Sequence, residues 1–318
     1  MPLSSATTLE AVASHFPERT MTVEERAREM GLNEAQVNLF RKIHGLDVLH
    51  VDPAGNLYDL VLPPAREVLD GTAPEAVRYV LYVHATTEVA PAEADIAQEI
   101  KRRLGLHRAT AFSMTHQSCS TTLTAVDIAG TLLRADGDPD AKALVVSGEK
   151  LFARDMRILF NSCVFAEGAA SALVGLSGEG AEIRSLVTRT FGEYFDGVHM
   201  TPAQHRESGG ARPGVVREVI EEAVERAGIA LEDLHLVLPT NSNTNFWAES
   251  IRQMDFDVSK FFFDNIPRYS HCMAADALIN YVTLRDEGRL AAGRPHLFLS
   301  FGLGMTYAAG VFVPKGVA

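Results

Sequence analysis

The chain has 318 residues, 47% of them hydrophobic and 22% charged, a composition that excludes disordered and fibrous classes. Its 29 Lys and Arg against 41 Asp and Glu leave a net charge of −12, which excludes a general binder of nucleic acid or anionic membranes. The three cysteines, Cys119, Cys163 and Cys272, form no CxxC pair, and the histidines are scattered, so neither a disulfide framework nor a metal site is expected. Residues 1–17 lack the basic and apolar regions of a secretory leader, and a cytoplasmic location is expected. The uncharged run 297–313 is interrupted by Gly302, Gly304 and Gly310, which predicts two buried strands around a turn and not a membrane helix.

In chain order, a helix ends over 65–69 and a buried strand follows over 77–84 (VRYVLYVH). An amphipathic helix is predicted over 92–104, a strand over 111–115, an apolar helix over 121–134 and a strand over 143–147. After a strand pair at 170–175 and 183–189, residues 192–214 read as a mobile loop or lid. The second half repeats the pattern, with helices over 215–227, 246–254 and 273–284 and strands over 234–238 and 297–300. A strand-like run follows 260–263. At an offset of 153 residues ALVVS at 143–147 falls on HLFLS at 296–300, and Cys119 falls on Cys272. An offset of 155 puts LYV at 81–83 on LVL at 236–238. Alternating strands and helices repeated at a fixed offset predict an α/β protein built from two duplicated halves. The expected organisation is an N-terminal half carrying the nucleophile (1–150), an inserted strand and loop region (151–212) and a C-terminal half (213–318).

Four segments carry candidate chemistry. In MTHQSCSTTLT (114–124), Cys119 sits where a strand and polar turn enter a helix. Unpaired backbone N–H groups and the helix dipole stabilise a thiolate there, so Cys119 is the candidate nucleophile. In YSHCMAADAL (269–278), His271 occupies the equivalent turn of the second half, and the duplication would bring it to Cys119 as general base. In LVLPTNSNTN (236–245), Thr240, Asn241, Ser242 and Asn243 follow a strand end, where binding residues are favoured. In SFGLGMT (300–306), Gly302 and Gly304 flank Leu303 and allow close backbone approach.

These four segments, in this order and spacing, resemble the thiolase superfamily, and within it the β-ketoacyl-acyl-carrier-protein synthase III branch. The resemblance runs from HFPERTMTVEERA (15–27) to Phe301-Gly302-Leu303-Gly304. It implies a five-layered α-β-α-β-α fold, a homodimer, and acyl-CoA or acyl-phosphopantetheine as substrate with no permanently bound cofactor. It also implies Cys119 as the acylated residue and the Cys119 and Leu303 amides as oxyanion hole. The family's histidine loop is PTNSN here (239–243), so Thr240 replaces the histidine, while His271 stands where the family has asparagine. A hydroxyl and one histidine do not reproduce the pair that stabilises a malonyl enolate. One histidine suffices for acyl transfer.

The expectation is therefore an acyltransferase in natural-product (secondary) metabolism, with Cys119 as nucleophile and His271 as base. Thr240, Asn241, Asn243, Gly302 and Gly304 would bind substrate. The alternatives are decarboxylative condensation with a malonyl thioester and a silent thiolase-fold partner subunit. His116 and Glu88 are read as structural and exposed, respectively, and Cys163 is given no role. Glu167 stands in the aspartate's place of a DGA-like turn. Lys101, Arg102, Arg103 and Arg108 read as a solvated helix face or a docking patch for an acidic carrier protein. Phe152, Phe160, Phe195, Trp247 and Met305 are the candidate determinants of pocket width.

Overall fold

A computed structural model describes residues 6–151, 157–176 and 179–315. Nine strands form one mixed sheet. They are β1 (Thr8–His15), β2 (Val77–Val83), β3 (Thr110–Met114), β4 (Lys142–Gly148), β5 (Ala169–Gly175), β6 (Ala181–Thr190), β7 (Leu236–Pro239), β8 (His296–Gly302) and β9 (Thr306–Pro314). Their order is β7-β8-β9-β6-β1-β5-β4-β2-β3. The two halves of the sheet meet at β1 and β6, which pair only at Thr8 with Glu182 and Leu9 with Ala181. β4 and β5 are covered on both faces, which is why their sequences are continuous runs of small and apolar residues.

The principal helices are α1 (Leu57–Val68), α2 (Ile96–Arg103), α3 (Thr121–Asp136), α4 (Pro202–Arg226), α5 (Thr244–Met254) and α6 (Asp276–Asp286). α1 lies on β1 and β5, and α2 on β2 and β3. α3 and α6 touch strands of both halves, and α4 covers β6 and β9 from the other side with α5 beside it. The result is the expected five layers, with α3 and α6 in the middle. Three apolar clusters fill the spaces between them. Each fully buried Leu, Val or Phe contributes roughly 1.5–3 kcal/mol to this packing.

Residues 192–214 differ from their sequence reading. Two short turns, Gly192–Tyr194 and Gly197–His199, lead into α4, which begins at Pro202. Gly209, Gly210, Pro213 and Gly214 disfavour a helix locally. The Thr201–Gln204 capping box and Pro202 at the first turn start it nevertheless, and Val215, Val216, Val219 and Ile220 bury its second part. The run after Lys260 forms no strand, only an isolated bridge between Phe261 and Val237. Segment 151–212 gives β5 to one half of the sheet and β6 to the other. Arg102 and Arg103 both pair with Glu99, and Arg103 also lies 4.1 Å from the Tyr58 ring centre.

Candidate active site

The duplication builds the site. Each middle helix begins after one 3-10 turn: Ser118–Ser120 before α3, and Met273–Ala275 before α6. Non-glycine residues take left-handed backbone around both turns, at His116 (φ 74°) and Ser118 (φ 50°), and at Ser270 (φ 52°) and Met273 (φ 56°). Such conformations persist only where surrounding structure enforces them. Here they aim two side chains at one point. Cys119 Sγ lies 3.2 Å from His271 Nε2.

His271 Nδ1 lies 2.5 Å from Asp276 Oδ2, the first residue of α6. The same oxygen accepts from the Asn241 N–H at 2.7 Å, and Oδ1 accepts from the Cys272 N–H at 2.8 Å. With Nδ1–H donated to Asp276, Nε2 is free to take the Cys119 proton. Burial opposes a charged His271, but the Asp276 carboxylate and the Cys119 sulfur outweigh it, and the imidazole is held well above its ordinary 6.5. Thiol, imidazole and carboxylate thus stand in line, in the arrangement of a catalytic triad.

The sequence reading did not find Asp276. Its signal was an acid inside MAADAL, at the start of an otherwise apolar helix. An acid there also suits a helix dipole, so the pairing became specific only once the preceding turn was known.

Cys119 and His271 line a cavity of about 740 Å³. Leu159, Phe165, Phe195, Phe246, Phe301 and Leu303 make it largely apolar. Thr240 and Ser242 supply hydroxyls to its wall. Thr240 Oγ1 accepts from the Phe301 N–H at 3.2 Å, and the buried Ser242 Oγ has no partner among the described residues. Segment 85–91 forms another wall, where exposed Glu88 faces the cavity, as His116 does. Cys163 also lines it, packed with Cys119, Phe165 and Met273, and burial pushes its thiol up to about 12.

Several expected binding residues lie elsewhere. Asn241 is fully buried and exchanges side-chain hydrogen bonds with Asn280, so it reaches the site only through its backbone N–H. Asn243 caps α5 and donates to Ser162. Gly302 and Gly304 flank the lining residue Leu303 without lining the cavity themselves. Gly302 instead permits close packing, since a Cβ there would fall 2.1 Å from Gln117 O. Of the pocket-width candidates Phe195 lines the cavity, whereas Trp247 is buried behind it, donating to Thr240 O at 2.6 Å. Phe160 and Met305 are not among its lining residues, and Phe152 lies outside the described residues. Glu167 accepts from Lys150 Nζ and the Asp52 N–H, away from the thiol. Among the described residues no cluster of His, Cys, Asp and Glu could hold a metal ion, and no helix is long and apolar enough to cross a membrane.

Comparison with known proteins agrees with this architecture. Residues 224–313 match the 3-oxoacyl-[acyl-carrier-protein] synthase III C-terminal family. The β-ketoacyl-[acyl-carrier-protein] synthase III of Oleidesulfovibrio alaskensis is 26% identical over 327 residues, covering 93% of this chain and 95% of that protein. The Lactobacillus delbrueckii subsp. bulgaricus protein of that name is 25% identical over 284 residues, 83% of this chain and 86% of its own. Among solved structures, the acyltransferase ChlB3 superposes with a TM-score of 0.85 at 20% identity, covering 98% of both chains. 3-Oxoacyl-(acyl carrier protein) synthase III of Pseudomonas aeruginosa superposes with a TM-score of 0.80 at 20% identity, covering 98% of this chain and 99% of that one. The fold is therefore the one shared by ChlB3 and 3-oxoacyl-(acyl carrier protein) synthase III. Over residues 224–313 the sequence resembles the 3-oxoacyl-[acyl-carrier-protein] synthase III C-terminal family, and over most of its length it is similar to β-ketoacyl-[acyl-carrier-protein] synthases III.

Proposed function

We propose that the protein is a ketosynthase III-like acyltransferase that moves an acyl group from a coenzyme A or acyl-carrier-protein thioester, through acyl-Cys119, to an acceptor. The observation that carries this reading is the Cys119–His271–Asp276 chain at the wall of an apolar cavity. His271 Nε2 takes the thiol proton and Sγ attacks the thioester carbonyl. The carrier thiol leaves with that proton, and the acyl group remains on sulfur. The acceptor then enters, His271 removes its proton, and its attack on the acyl carbonyl releases Cys119. The Cys119 and Leu303 amides would hold the oxyanion in both steps. The Thr240 and Ser242 hydroxyls would orient the polar part of the substrate beside them.

The test is intact mass after incubation with a panel of acyl-CoA and acyl-carrier thioesters. A gain of one acyl group is expected in the wild type and none in Cys119→Ala, and no gain with any thioester would overturn the reading. His271→Ala is expected to slow transfer more than loading, and unchanged turnover would remove it as base.

The names of the relatives favour a second reading, decarboxylative condensation with a malonyl thioester. Against it, His271 is bound to Asp276, and the second strong donor expected for enolate stabilisation is only the Thr240 hydroxyl. Cys119-dependent release of carbon dioxide from a malonyl donor would select this alternative.

A homodimer also fits the edge of the sheet. β3 has a partner on one side only and leads directly to the Cys119 turn. An uncovered edge strand is a template for pairing with a second copy. Light scattering is expected to give twice the chain mass, and a monomer at micromolar concentration would refute the pairing.

A further inference from the structure

The catalytic steps above do not use Glu149. It follows β4 directly and is 4% exposed, with no cation among its described hydrogen-bond partners. Its carboxylate faces the backbone of segment 85–91 instead. The Ala85 N–H donates to Oε2 at 2.5 Å, and the Thr86 N–H lies 3.3 Å from each oxygen. The other side of the Thr86 peptide is held as well, with His84 Nδ1 2.6 Å and Thr115 Oγ1 3.4 Å from Thr86 O. Ala85, Thr86, Thr87, Glu88, Ala90 and Pro91 form one wall of the cavity that holds Cys119.

We propose that Glu149 is a positioning residue for this wall: its carboxylate, by gripping the Ala85 and Thr86 amides, keeps segment 85–91 in the arrangement that admits an apolar group to Cys119. A buried carboxylate hydrogen-bonded to backbone amides and to no cation is a costly way to hold a loop, because its charge is desolvated. It therefore points to a requirement other than stability. Burial raises the Glu149 carboxyl to about 7, against the pull of the two amides, the Thr86 side chain and His271. The grip is thus strongest above pH 7 and slackens below it.

Other titratable groups lie near it. Tyr82, whose hydroxyl donates to Gly148 O, is raised well above 10, His84 is lowered below 6.5 by burial, and His271 is held well above 6.5. His116 faces His84 from the cavity side and is removed as His116→Asn, because asparagine tolerates its left-handed backbone.

The experiment reads the wall without needing the natural substrate, so it fails or succeeds independently of the acyl-transfer reading. Cys119 in the His116→Asn protein is alkylated with N-benzylmaleimide, which must fit the cavity, and with iodoacetamide, which is small. Modification is located by peptide mass. Both reagents consume the thiolate, so the ratio of their rates cancels its titration. The ratio is expected to rise about tenfold from pH 6 to pH 8, the loss of one charge-assisted hydrogen bond being worth at least that. Adding Glu149→Gln, which mimics the protonated acid, should fix the ratio at the pH 6 value. Glu149→Asp, which withdraws the charge by one methylene, should lower it at pH 8.

Stability provides the second readout. A carboxyl whose folded value exceeds its unfolded 4.5 contributes stability that is present below 4.5 and lost as pH rises to about 7. The parent protein should therefore lose stability relative to Glu149→Gln across that window. A ratio that Glu149→Gln leaves unchanged, or one that falls only together with a pH-independent drop in melting temperature, would overturn the proposal.

Discussion

Replacing Asp276 with asparagine is expected to lower turnover about 10³- to 10⁴-fold while leaving the fold in place, as loss of an orienting acid does in other triads. The carboxylate accepts on both oxygens, from His271 Nδ1 and the Asn241 N–H on one and from the Cys272 N–H on the other. An asparagine offers one acceptor, so its amide group must face a backbone donor or release His271. The charge is lost as well. Burial then acts on His271 with one opposing group fewer, and its raised value falls. In the wild type a charged His271 contributes stability that is fully present below pH 6.5 and lost as pH rises through its folded value. Asp276→Asn should lose that stability in the same range. A variant within threefold of wild-type turnover would show that Asp276 has no part in orienting the base.

The second large effect is expected at Gly302. A Cβ there would stand 2.1 Å from Gln117 O and 3.2 Å from Ser118 Cβ, and the first is backbone that no rotamer change can relieve. Gly302→Ala must therefore move the end of β8, with Leu303 behind it, away from the turn that carries Cys119. If the Leu303 amide holds the oxyanion, separating it from Cys119 should cost 10²- to 10³-fold in turnover, the usual effect of losing one such donor. A destabilisation of about 1–3 kcal/mol should accompany it, as overpacking typically produces. Turnover is compared below the melting transition of the variant to keep the two apart. Full activity in a folded Gly302→Ala protein would show that the β8 end and the Cys119 turn need not touch.

Much of this site was legible in the sequence because duplication makes distant residues comparable. The offset that superposes the strands also puts two helix starts in register, Cys119 on Cys272, which brings the adjacent His271 within reach of Cys119. Asp276 was hidden because its partner is set by the angle at which a 3-10 turn enters α6. The asparagines after Pro239 were misplaced for a related reason. A polar residue at a strand end can face the ligand or turn back into the protein, and Asn280, buried in α6, draws Asn241 inward. Only the first part of α4, 202–214, escapes the sequence reading, because glycine and proline propensities are local, whereas its cap and the valines of the helix read over 215–227 act over its whole length. Glu149 was passed over because a glutamate after a strand usually faces water.

Cys119 and His271 are 152 residues apart. During synthesis the first half is complete, thiol included, long before His271 and Asp276 leave the ribosome. Until then the cysteine has no base beside it and the cavity lacks the walls supplied by Thr240, Phe246 and Phe301. A nascent chain thus carries the thiol without its imidazole partner until the second half docks. Dividing the site between two copies of one architecture means that the Cys119–His271–Asp276 contacts form only in a chain whose second half has folded.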